Sequence, residues 1–328
     1  MASFMDSVDE RTRLAGANRL EVLLFSLGRD RASGREEVFG INVFKVREVM
    51  QVPEITRAPD VPPAVEGMIS LRGNMIPVIN LARFCGIDSE DEPQILIITE
   101  YNRFVQALLV HSVESILRLE WTQVKVPPPM MQNRMGGLIT AVTRLEDGRI
   151  VMILDVEKVL AETADFGNDP ELYDAVEPLE VEATVLFADD SAVARRQIEQ
   201  TLDKMGVRHI AARNGKEAWD LLEEMAARAE ASHVPVHRLV TAVLTDVEMP
   251  EMDGYVLTKR IKGDPRFRGI PVIMHSSLSA EANQHLGQAV GADVYVPKFH
   301  PAELAAALRP VLADSVRRED DEEADAAA

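Results

Sequence analysis

Four ionisable side chains stand where apolar runs end. Asp189 and Asp190 come just after Val185-Leu186-Phe187, Asp246 after the run from Leu239 to Leu244, and Lys298 after Val294-Tyr295-Val296. Between them, helical patterns alternate with apolar runs, which is the signature of βαβ units around a parallel sheet. In such a sheet the functional crevice lies at the carboxyl ends of the strands. The fold would therefore gather three carboxylates and one amine in one pocket. That set suits an aspartate that accepts a phosphoryl group. A carboxylate is a weak nucleophile and its donor is anionic, so a hard divalent cation, Mg2+, is expected to bridge the oxygens. Asp190 and Asp246 fit as direct ligands, Asp189 as the holder of a coordinated water, and the backbone carbonyl of Glu248 as a further oxygen. Lys298 is placed to neutralise the transferred group, and the hydroxyl of Ser276, at the end of another apolar run, to bond one of its oxygens. Taken singly, each fragment has a plainer reading: Asp-Asp-Ser caps a helix, and Met252-Asp253-Gly254 makes a turn. All of them in order, each at a strand end, favour the site.

The elements that must position these groups are legible in outline. Strands are expected at 184–188, 208–212, 239–244, 271–274 and 293–296. The run 239–244 is apolar except for Thr241, as in a strand buried on both faces. Helices carry Ile198, Leu202 and Met205, then Trp219, Leu221 and Leu222, then the stretch after Gly254, then 280–289, and last Leu304, Leu308, Val311 and Leu312. From Leu20 to about Leu160 the chain reads as many short strands: Glu21 to Leu27, Ile95 to Thr99, Phe104 to Val110, and the pair Leu138–Leu145 and Ile150–Leu154 around an Asp147-Gly148 turn. Val46 to Met50 reads as a short helix. Many short strands imply a sandwich or small barrels.

Residues 162–182 hold eight acidic side chains and no Lys or Arg, with Gly167, Pro170 and Pro178 breaking any period. They read as an acidic linker with room for a short helix around Leu172 to Val176. The tail from Arg317 is acidic and is expected to be disordered. With 35 basic against 54 acidic residues the formal net charge is -19, which argues against nucleic-acid binding and against an anionic membrane surface. The single Cys85 allows no intramolecular disulfide and fits a reducing cytosol, as a core side chain. No apolar stretch reaches a membrane span, and the first residues lack the pattern of a signal peptide. A soluble cytoplasmic protein without membrane insertion is expected.

The motifs carry two resemblances. Phe187-Ala-Asp189-Asp190-Ser, Thr245-Asp246-Val-Glu-Met-Pro250-Glu-Met-Asp-Gly254, Pro271-Val-Ile-Met274 and Tyr295-Val-Pro-Lys298 resemble a response-regulator receiver domain. That resemblance makes Asp246 the phosphoacceptor, puts Asp189 and Asp190 in the Mg2+ pocket, and makes Lys298 the family's lysine. It gives Ser276 and Tyr295 switch roles. One departure is Lys298-Phe299, where the family usually has Lys-Pro. Phe39-Gly-Ile-Asn-Val-Phe-Lys-Val-Arg-Glu48-Val and Gly67-Met-Ile-Ser-Leu71-Arg72-Gly73-Asn-Met-Ile-Pro77-Val-Ile-Asn80 resemble the CheW coupling domain. This implies two small five-stranded β-barrels bridging a chemoreceptor and a histidine kinase. By the same resemblance Val46, Glu48, Gly67, Leu71 and Arg72 belong to the partner interface, with Glu48 pairing Arg72.

The combination resembles the CheV-type chemotaxis coupling proteins. The implied fold is multidomain: an all-β CheW-like domain followed by an α/β doubly wound, flavodoxin-like receiver with a five-stranded parallel sheet. The expected division is a flexible N-terminus 1–16, a coupling domain 17–161, an acidic linker 162–183, a receiver 184–314 and a disordered tail 315–328. The implied role is a chemotaxis adaptor, not an enzyme. It would couple methyl-accepting chemoreceptors to the chemotaxis histidine kinase at membrane-bound arrays, modulated by phosphorylation on Asp246. A phosphate sink for that kinase is the nearest alternative. A haloacid-dehalogenase-type phosphatase fits less well, because its nucleophile stands on the first strand and Asp246 follows the third. A DNA-binding regulator would need a helix-turn-helix after the last helix, where this chain is acidic.

Overall fold

A computed structural model describes residues 19–326 except 58, 60, 102–103, 129, 132–136, 164–169, 277–286 and 299. The chain divides into two compact units, Arg19–Asn168 and Asp169–Ala328. Each is described by itself.

The first unit is built from two five-stranded sheets. One has the order β8-β1-β2-β10-β9, from β1 (Arg19–Arg29), β2 (Glu36–Asn42), β8 (Ser112–Glu120), β9 (Ile139–Arg144) and β10 (Ile150–Leu154). The other has the order β3-β6-β7-β5-β4, from β3 (Val46–Gln51), β4 (Val65–Leu71), β5 (Asn74–Asn80), β6 (Ile95–Tyr101) and β7 (Phe104–Val110). Each sheet curls on itself through one antiparallel bridge. The chain beyond β8 bonds β9 at Lys125–Val142, and the chain beyond β3 bonds β4 at Thr56–Met68. These are the two small five-stranded barrels expected. Alternation explains how they pack. In β1, Val22 and Leu24 fill the first barrel while Leu23 and Phe25 face outward into a core shared with the second. In β6, Leu96 and Ile98 fill the second barrel and Ile97 joins that shared core. The short helices α1 (Leu81–Phe84) and α2 (Val156–Thr163) cover it through Leu81, Val156 and Val159.

Val46–Gln51 is a strand, not the helix its Val46, Val49 and Met50 spacing suggests. Its exposure alternates residue by residue, with Val46, Glu48 and Met50 turned partly inward, and it pairs with β6 from Val46 to Gln51. Five residues cannot separate a period of 2 from one of 3.6, and pairing with β6 decides it.

The second unit is a five-stranded parallel sheet of order β12-β11-β13-β14-β15. Its strands are β11 (Thr184–Ala188), β12 (Arg208–Ala212), β13 (Ala242–Thr245), β14 (Val272–Ser276) and β15 (Val294–Pro297). Both faces are buried. Val185 and Phe187 point toward α3 (Ala192–Met205) and α6 (Pro301–Ala326). Leu186 and Ala188 point toward α4 (Gly215–Ser232) and α5 (Gly254–Gly263). The expected helix at 280–289 lies mostly outside the described residues.

Two expectations change here. The acidic stretch 162–183 is not linker throughout. Residues 162 and 163 end α2, Pro170–Tyr173 form a 3-10 turn, and Tyr173, Val176 and Ala183 are buried, the last two in the core between sheet, α3 and α6. The short helix expected around Leu172 to Val176 is this 3-10 turn, lying slightly earlier, and the high charge masked how the apolar residues after it pack. The segment 315–328, read as disordered, continues α6 as far as Ala326; its Ala, Arg and Glu residues are good helix formers.

Candidate functional site

The strand order of the parallel sheet reverses between β11 and β13, and ligands of such sheets bind at that switch point. Asp189 and Asp190 follow β11, Asp246 follows β13, and Lys298 follows β15. Their carboxylates meet: one oxygen each of Asp189, Asp190 and Asp246 lies within 4.8 Å of the others. Lys298 Nζ stands 2.7 Å from Asp189 Oδ2 and 2.7 Å from Asp246 Oδ2. Asp189 is 0%, Asp246 6% and Lys298 2% exposed, so these charges act on each other with little screening by water.

Local bonds hold each group in place. Asp189 Oδ1 accepts from the Ser191 amide at 2.9 Å, while Ser191 caps α3 by accepting from the Ala194 amide. Arg195 donates to the Asp189 carbonyl at 2.7 Å. The Asp246 amide donates to the Ala188 carbonyl, tying β13 to the end of β11. Asp246 Oδ1 accepts from the Val247 amide at 2.7 Å, and the buried Thr245 hydroxyl donates to the Asp246 carbonyl at 2.9 Å. The loop then returns so closely that a Cβ at Gly254 would collide with the Asp246 carbonyl oxygen. Asp253 caps α5 by accepting from the Val256 amide at 2.8 Å. The Lys298 amide donates to the Ser276 carbonyl at 3.0 Å, which fixes β15 against the end of β14.

Burial holds the Asp246 carboxyl well above its ordinary value; the Lys298 ammonium pulls it down, and the Asp189 and Asp190 carboxylates push it up. Burial also raises Asp253 to about 6. Tyr295 rises to about 12 through burial, opposed by a hydrogen bond with Ser276. Three acidic side chains face one lysine in a largely buried pocket, more acid than a single ammonium can neutralise. That surplus, the oxygen-only donor set and its spacing fit a hard divalent cation such as Mg2+.

The pocket therefore brings together Asp189, Asp190, Asp246 and Lys298. Ser276 ends β14, buried, and Tyr295 lies in β15 opposite Met274. Glu248 lies two residues beyond Asp246 in the loop before α5. Phe299 lies outside the described residues. Sequence reading passed over Arg195, and it named Thr245 only within a motif and Asp253 only within a motif and a turn, giving neither a role in the site. Asp253 carried a readable signal, an Asp directly before a helix; the other two act through backbone carbonyls, which no side-chain pattern reveals.

In the first unit, Arg72 and Gly73 both have positive φ, 52° and 87°, and form the two-residue turn of the β4–β5 hairpin. Arg72 Nη2 lies 3.0 Å from Glu48 Oε2 on β3. Gly67 is buried, with φ 145°, and a side chain there would collide with the Thr56 carbonyl. Its absence of a side chain serves barrel closure. Val46 and Leu71 are half-buried.

Both halves match known families. Residues 21–164 match the CheW-like domain and residues 185–309 the response regulator receiver domain. Together they define a coupling domain joined to a receiver. Over nearly its whole length the chain is similar to Chemotaxis protein CheV2 of Helicobacter pylori, 29% identical across 93% of this chain and 98% of that protein. Chemotaxis protein CheV3 of the same organism is 32% identical across 84% of this chain and 89% of that protein. Among solved structures, the scaffolding protein TtCheW from Thermoanaerobacter tengcongensis is 27% identical, covering 42% of this chain and 88% of that chain, with a TM-score of 0.37. The chain belongs to the CheV family of chemotaxis proteins.

Proposed function

We propose that this chain is a chemotaxis adaptor whose coupling domain joins receptors to a histidine kinase, and whose receiver tunes that coupling when Asp246 is phosphorylated. One observation carries the second half of this reading: Asp246, at the switch point of the parallel sheet, faces both an acid cluster and a buried lysine. The first half is supported by the CheW-like match. The chain would work in the cytoplasm, at receptor arrays, and among its described residues no helix is long and apolar enough to cross a membrane.

The chemistry follows from the groups present. The Asp246 carboxylate attacks phosphorus in line with the bond to the donor; the new O–P bond forms an acyl phosphate and the donor atom leaves with the electron pair. Lys298, already beside Asp246, stabilises the added negative charge and keeps it from the other carboxylates. Asp189, Asp190, Asp246 and the Glu248 carbonyl would hold Mg2+, which supplies charge neutralisation between carboxylate and phosphoryl oxygens. Ser276, now bonded to Tyr295, is the hydroxyl that turns to the phosphoryl group, freeing Tyr295 to repack. The protein makes no product of its own. It serves as phosphoacceptor, with autodephosphorylation as its own reset.

The test is labelling by a small phosphodonor such as acetyl phosphate with Mg2+. Wild type should take up one phosphoryl group, and Asp246→Asn none. Equal labelling of the two would remove the phosphoacceptor reading.

A further inference from the structure

The segment expected to be a loose tether is instead strapped along the receiver. Its path is fixed at several points. The turn Pro170–Tyr173 lies against α3 and α6. The Tyr173 phenol is raised by burial, while Arg196 near the start of α3 pulls the other way. Further along, Arg309 of α6 donates to the carbonyls of Glu177 at 2.6 Å and Pro178 at 3.0 Å. The Leu179 amide bonds the Met205 carbonyl at the end of α3, and Ala183 accepts from the Arg208 amide. The segment thus runs antiparallel to α3, from beside its first turns to beyond its last, before entering β11. The first turns of α3 are the end that holds Asp189. The chain therefore meets the receiver beside the first turns of α3, although β11 begins at the opposite end of the sheet.

The two ends of this strap are fastened unequally. The end at Leu179 and Ala183 has backbone hydrogen bonds to the receiver. The end at Tyr173 has apolar burial, and the Tyr173 hydroxyl is buried with no hydrogen-bond partner among the described residues. A buried hydroxyl left unpaired weakens the packing around it. That end also rests on α6, which begins three residues after Lys298. Val176 packs in one cluster with Leu304 and Leu308 of α6. Lys298 already pairs with Asp246, so a phosphoryl group added to Asp246 acts on Lys298 just before α6, and the strap end with fewer hydrogen bonds is the one less able to resist a shift of that helix.

We infer that residues 170–183 are a receiver-bound strap whose Tyr173 end loosens when Asp246 is phosphorylated. Residues 164–169 alone separate that end from α2 of the coupling domain, so its release changes the tether between the two units. The inference rests on the phosphoacceptor reading proposed above, and the test separates the two.

Amide hydrogen exchange is measured on the full-length protein with Mg2+, with and without beryllium fluoride as the phosphoryl probe. The reporter is the Val176 amide, which bonds the Tyr173 carbonyl. With the probe, Val176 should exchange about threefold faster or more while Leu179 changes little. Altered exchange at 186–190 and 294–298 with an unchanged Val176 would overturn the strap and leave the phosphoacceptor standing. No change at the pocket would remove both. Tyr173→Phe deletes the unpaired hydroxyl and keeps the ring. It should slow Val176 exchange about threefold in the unmodified protein; exchange equal to wild type would also overturn the inference.

Discussion

Asp253 shows how a single side chain serves and strains the site. Its carboxylate caps α5, the helix whose first residue, Gly254, touches the Asp246 carbonyl. The same burial that makes the cap firm raises its pKa from 3.8 to about 6. The folded state therefore binds the proton more tightly than the unfolded chain. Stability from this group is fully present below about pH 3.8 and is lost as pH rises through about 6. Asp253→Asn keeps an acceptor for the Val256 amide and removes the charge. At pH 7.5 the variant should be more stable than wild type by about 2–3 kcal/mol, and near pH 4 the difference should vanish. Urea unfolding at both values measures this; equal stability at pH 7.5 would show that charge is not the cost. At this scale the sequence was readable where side chains make the chemistry. Asp189, Asp190, Asp246 and Lys298 follow apolar runs that end in strands, although before Asp246 only Ala242–Thr245 is strand and Leu239 instead closes a 3-10 turn. Arg195 and Thr245, which act on backbone carbonyls, left no such trace.

Elements were readable when a strand or helix showed its own period for long enough. The parallel strands and the Asp147-Gly148 hairpin did. β3 did not, because Val46, Val49 and Met50 mimic a helix over a segment too short to tell. The strap was hidden by its acids, since Tyr173, Val176 and Leu179 recur every three residues and Val181 two further on, a spacing that sustains neither a helix nor a strand pattern. The barrel of β3 to β7 adds a feature visible only in three dimensions: it closes through the paired amides and carbonyls of Thr56 and Met68. Gly67 makes that approach possible, in a backbone conformation that residues with a side chain avoid. Gly67→Ala should break the Thr56–Met68 bridge and destabilise the coupling domain by about 2–3 kcal/mol. Unfolding followed at Trp121, the only tryptophan of the first unit, reports it. An unchanged midpoint would mean that closure does not depend on this bridge.

For the whole molecule, the two families are legible from motifs, whereas the path joining them is not. Two units with separate cores also predict separable functions. The Arg72–Glu48 pair sits in the coupling domain at the β4–β5 turn, with the arginine side chain 67% exposed and the glutamate 28%. An ion pair this exposed contributes only about 0–1 kcal/mol to folding. A role in stability is therefore a poor reason for an arginine at φ 52°, a backbone conformation that glycine or asparagine would adopt more easily. A guanidinium presented at the tip of a rigid turn is well suited to binding a partner, and arginines at interface centres often contribute about 2 kcal/mol or more. Arg72→Ala should keep the circular dichroism of wild type and full phosphoryl labelling at Asp246. Its co-sedimentation with receptor-bearing membranes and the histidine kinase should fall about tenfold or more. The labelling arm shows that the receiver is intact, so a loss of assembly is assigned to the coupling surface. Undiminished co-sedimentation by the folded variant would place the partner interface elsewhere on the coupling domain and leave Arg72 as a turn residue alone.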